Sequence, residues 1–200
     1  MGGVPGRFPI MGIVDEAVSG IERALQAIDP VMTAVTPDDL GKASPCEGWT
    51  VGEVTIHLLN GLNERAAAAA GAEMGSVDDA VTRADVPSAW RSTKERLLAA
   101  LQRPDAMDRE VRGPGGRTVP LRMLVRILPG EVMLHGWDIA RGCGRSTDLD
   151  PELAAKLLEA GRPLIEQFGR GTAFGPEQPA PADARAADRL AAFYGRHLGS

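Results

Sequence analysis

The chain has 200 residues, a formal net charge of −5, and 44% hydrophobic against 24% charged residues. That length favours one domain able to fill a core, and the acidic balance excludes the electrostatic footprint of a nucleic-acid or anionic-membrane binder. No apolar run approaches the roughly 18–20 residues that span a bilayer, and Cys46 and Cys143 make neither a disulfide framework nor a paired Cys-x-x-Cys motif.

Cysteine usage of this kind fits a reducing, cytoplasmic setting. Residues 1–12 read as a flexible extension without the apolar core of a signal peptide, so that Met11 is a candidate start, and residues 13–200 read as a single helical domain with a short C-terminal appendage. From Ile13 to about Val35 the apolar positions Ile13, Ala17, Val18, Ile21, Leu25, Ile28 and Met32 recur at helical spacing. Asp29-Pro30 either bends that helix or ends and restarts it. Thr50-Val-Gly-Glu53 is a capping box opening a helix to about Ala70, with Val51, Val54, Leu58, Leu59 and Leu62 as its apolar set and His57 on the edge of that face.

A polar loop with Gly71, Gly75 and Ser76 leads to a segment 77–84, and Pro87 starts a helix striped by Trp90, Lys94, Leu97, Leu98 and Leu101. Gly113-Pro-Gly-Gly116 marks a tight turn between short extended arms. A helix then begins around 118–121, with Pro120 tolerated in its first turn, and crosses Pro129-Gly130 with an expected kink on its way to Arg141. Asp150-Pro151 is a cap followed by a first-turn proline, opening a helix to about Phe168. A Gly/Pro-rich loop, 169–181, precedes a last helix expected over 184–198. The fold class is all-α: four main helices around a core, with one or two short C-terminal helices outside.

Glu131 and His135 stand four residues apart, one helical turn, and so share a face. With His57 from the second helix they make two nitrogens and a carboxylate, an open three-ligand pattern suited to a catalytic divalent metal. Zinc suits the set best; nickel, iron and manganese would not be refused. The competing reading is a Glu131–His135 hydrogen bond on a solvated helix face. Asp138 shares that face, as an acceptor orienting a ligand, as a base, or as the partner of Arg141 in a surface salt bridge. Trp49 and Trp137 read as core or pocket wall. His197 reads as exposed, and neither cysteine has support as a nucleophile.

Two blocks, Ser44-Pro-Cys-Glu-Gly-Trp-Thr-Val-Gly-Glu-Val-Thr-Ile-His57 and Glu131-Val-Met-Leu-His-Gly-Trp-Asp-Ile-Ala140, resemble the DinB-like superfamily. Within it they resemble the actinobacterial mycothiol-dependent maleylpyruvate isomerase group, over about residues 13–195. The resemblance implies a four-helix bundle of up-down-down-up type. It also implies a divalent metal, most often zinc, held by His57, Glu131 and His135, and mycothiol or a related thiol as cosubstrate. True maleylpyruvate isomerases carry a larger C-terminal domain, whereas here some 30 residues follow the helix ending near Phe168.

The implied function is a metal-dependent enzyme that activates a low-molecular-weight thiol for isomerisation or S-transfer on a small electrophile. The alternatives are a thiol-independent metal hydrolase or biosynthetic tailoring enzyme, and a non-catalytic metal- or ligand-binding protein. The expected partner is a small molecule, with no nucleic acid and no membrane. A homodimer is admitted, although no helix face is singled out for it.

Overall fold

The fold follows from which helix faces must be buried. The computed structural model describes residues 9–72, 78–113, 116–170 and 174–199. Among these, α1 (Pro9–Met32), α2 (Val51–Ala70), α4 (Val86–Leu101) and α5 (Leu121–Gly142) form the bundle, and α3 (Asp79–Ala84) is a short lead-in to α4. Outside it lie α6 (Pro151–Phe168) and α7 (Ala186–Phe193). The apolar stripes read from the sequence converge: Ile21, Leu25, Ile28, Val54, Leu59, Leu62, Trp90, Leu97, Val125 and Leu128 all lie in one core. No described helix is long and apolar enough to cross a membrane.

Helix directions follow from which ends touch. Gly20 of α1 lies against Pro129 of α5, Ile28 against Gly136, and Ala34 just past α1 accepts from Arg145 just past α5. Contacts that advance together mean that α1 and α5 run parallel. Gly142, ending α5, lies against Val51, starting α2, so these two run antiparallel. Asp29 near the end of α1 accepts from Trp90 and Lys94 near the start of α4, reversing α4 relative to α1. The bundle is therefore up-down-down-up, the topology the resemblance implied.

Local signals placed most ends. Thr50 Oγ1 accepts from the Glu53 amide at 3.2 Å while Glu53 accepts from the Thr50 amide at 2.7 Å, completing the capping box. Gly71, at φ +71, takes the left-handed conformation that closes α2. Asp150 caps α6 by accepting from the Leu153 amide at 3.0 Å. The expected extended arms are β1 (Glu110–Arg112) and β2 (Thr118–Pro120), antiparallel with Glu110 opposite Pro120; the turn residues 114–115 lie outside the described residues, as does Val77.

Three details differ from the sequence reading. α1 begins at Pro9, inside the stretch read as an extension; of the two alternatives at Pro30, it does not end and restart there but runs on as one helix to Met32. Pro120 sits at the N-cap of α5 rather than in its first turn, with extended backbone as the arm of β2. As expected, α5 continues through Pro129, whose ring is buried against Gly20, so packing with α1 offsets the lost backbone bond. The last helix is shorter than 184–198 and ends at Phe193.

Candidate active site

The site is built where the start of α2 passes the second half of α5. The Thr50 cap fixes the first turn of α2, and the buried Val54, Leu58 and Leu62 turn the helix so that His57 emerges at the margin of the core. On α5 Gly136 packs against Ile28 of α1 with Val132 and Met133 buried beside it, while Glu131 and His135 stay partly exposed on the side facing α2. The two imidazoles meet with ring centroids 5.0 Å apart and planes at 85°. Trp49 packs edge-on against His57 at 5.1 Å and stays 38% exposed, so it walls the mouth of the site.

Electrostatics keep a lone pair available. Desolvation, then the facing His135 and the Arg65 guanidinium, hold the His57 imidazole below its ordinary pKa. A neutral imidazole is the ligand form. His135 Nδ1 lies 3.3 Å from Asp138 Oδ2. Asp138 is fully buried and receives both Nε and Nη2 of Arg196 at 2.8 Å. The salt bridge with Arg141 considered from the sequence does not form, since Arg141 donates to the Leu198 and Gly199 carbonyls instead.

Glu131 faces Arg65, one Nη of which stands 3.4 Å from its carboxylate. That contact is longer than a strong charge-assisted hydrogen bond. Arg65 also reaches Glu64 at only 3.5 Å, and its Nε is buried without a hydrogen-bond partner. Among the described residues no three His, Cys, Asp or Glu side chains are already gathered as a metal cage. What the structure brings together is His57, His135 and, behind His135, Asp138, with Glu131 one turn away and loosely engaged. The chemistry of this set is compatible with a divalent metal: two imidazoles converge and one is backed by a carboxylate in the usual way for a ligating histidine, while the Glu131 carboxylate is turned to Arg65.

Other candidates fall outside the site. His197 is exposed, as expected. Trp137 is buried and donates to Asp188 of α7 at 2.7 Å. Burial pushes both the Cys46 and Cys143 thiols up, so neither is a ready thiolate. Two residues of the site were missed by sequence reasoning. Arg65 lies two turns after His57 on the same face, a spacing that could have flagged it; Arg196, 58 residues from Asp138, carries no local signal.

With this geometry in hand, comparison with known proteins decides the family. Residues 21–140 match the model of the mycothiol maleylpyruvate isomerase N-terminal domain. The chain belongs to that family. It is 36% identical, over 88% of its length and 94% of theirs, to uncharacterised proteins from two strains of Mycobacterium tuberculosis, CDC 1551 / Oshkosh and H37Rv. Among solved structures it is similar in fold to the mycothiol-dependent maleylpyruvate isomerase, with a TM-score of 0.53 and 24% identity over 74% of this chain and 68% of that one. A histidine-to-alanine mutant of that enzyme gives a TM-score of 0.51. The matched region contains His57, Glu131, His135 and Asp138; Arg196 lies beyond it.

Proposed function

We propose that this protein is a divalent-metal-dependent enzyme that activates a low-molecular-weight thiol of the mycothiol type, for isomerisation or S-transfer on a small electrophile. The observation that carries the reading is the meeting of His57 and His135 across two antiparallel helices, in a chain whose family is named for a mycothiol isomerase. A divalent metal, zinc by donor preference with nickel, iron or manganese acceptable, supplies when bound the Lewis acidity that keeps a thiol deprotonated near neutrality.

The protein's own groups do the rest. His57 and His135 offer ring nitrogens, and Glu131 offers a carboxylate once it leaves Arg65. Asp138 holds the His135 ring from behind and, being buried against Arg196, acts by orientation rather than as a proton-abstracting base in contact with substrate. Trp49 gives the mouth of the site an apolar wall against which a thiol cosubstrate can lie. The partner is a small molecule, and a cytoplasmic setting belongs to the same reading.

The test is elemental analysis of protein purified without chelator, beside His57→Ala and His135→Ala, followed by thiol binding and a panel of electrophiles with mycothiol or glutathione. One metal per chain, lost in both variants, with thiol-dependent turnover, is the expected result. Metallated protein that neither binds thiol nor turns over any electrophile overturns the thiol reading. Turnover undiminished without thiol favours hydrolysis instead.

A further inference from the structure

We propose that Arg196 is a positioning residue for His135, acting through Asp138, so that the short segment after α7 decides which ring nitrogen His135 presents to the site. This rests on the reading of His135 as a ligand.

Asp138 is fully buried and Arg196 is 8% exposed, and the guanidinium grips the carboxylate with two hydrogen bonds of 2.8 Å. Such a fork fixes the carboxylate plane as a single ammonium would not. Both Asp138 oxygens accept from Arg196, and Oδ2 also faces His135 Nδ1 at 3.3 Å. An oxygen already committed to accepting requires a donor opposite it, so the ring carries its proton on Nδ1 and leaves the Nε2 lone pair free. Removing the fork leaves the buried Asp138 carboxylate without its two Arg196 hydrogen bonds and free to rotate away from Nδ1, so the ring is no longer held in one tautomer.

Docking the C-terminal segment does not by itself require this arrangement. Asp188 of α7 already accepts from Trp137 and Thr147 at 2.7 Å each. The Arg196 fork falls on the carboxylate that touches His135.

The experiment is nitrogen NMR of 15N-histidine-labelled, metal-free protein, with Arg196→Gln and Arg196→Lys, together with zinc titration. The parent should hold His135 in the Nδ1–H form. The Nε2–H form should grow in Arg196→Gln and, to a smaller extent, in Arg196→Lys, and zinc affinity should fall about 10- to 100-fold in Arg196→Gln. A parent ring in the Nε2–H form, or an unchanged ring in folded Arg196→Gln, overturns the assignment. Should Arg196→Gln fail to fold, an unchanged ring in Arg196→Lys overturns it equally. A tautomer shift in a protein that binds no zinc keeps Arg196 in its role and overturns the metal site; tight zinc binding with an unmoved ring does the reverse.

Discussion

Gly136 stands between His135 and Trp137, and a Cβ there would collide with the Ile28 side chain of α1. Alanine at this position would gain about 1 kcal/mol of helix propensity but would overpack a core contact, a cost of roughly 1–3 kcal/mol. Gly136→Ala should therefore lower stability in a denaturant titration. Asp39 makes a second residue-scale case. The Lys42 ammonium, with the Thr36 amide and the Arg145 guanidinium, holds its carboxyl far below the usual carboxylate range despite burial. A pKa depressed in the folded state contributes stability that is complete above the unfolded value of about 4 and is lost as pH falls below it. Asp39→Asn should be less stable at neutral pH and show a flatter loss of stability below pH 4, read from unfolding midpoints across pH.

α2 is anchored at the end that matters. Its capping box precedes His57 by two turns, and Thr50→Ala should cost about 1 kcal/mol, lowering Tm by roughly 2–4 °C. A Tm unchanged by the substitution would mean that tertiary packing alone holds that turn. The capping box, the Asp150 cap and the hairpin arms could be read from the sequence because each is settled by residues within a few positions of one another. The Glu131–His135 register is equally local, and a bundle then leaves few places for His57 to go. Pro129 was harder, because its cost is offset by packing: it is seated on Gly20, more than a hundred residues earlier. The Arg65–Glu131 and Arg196–Asp138 pairs were not legible, since a charge pair between distant segments leaves no periodicity and many arginines could have served.

At the scale of the whole molecule the candidate ligands join two antiparallel helices, so a metal bound to His57 and His135 would clamp α2 to α5. Zinc at a hundred times its dissociation constant should add about 2.7 kcal/mol and raise Tm by roughly 5–10 °C, with no rise in His57→Ala. The parallel pairing of α1 and α5 has another consequence, which concerns synthesis. The face of α1 that buries Ile21, Leu25 and Ile28 finds its principal partner only when Pro129 and Gly136 have emerged. At about 5–20 residues per second the ribosome needs some 5–20 s to supply them. Through that interval the N-terminal helix has an apolar face without its final neighbour, and the late, long-range closure gives this all-helical protein a slower folding step than its secondary structure would suggest.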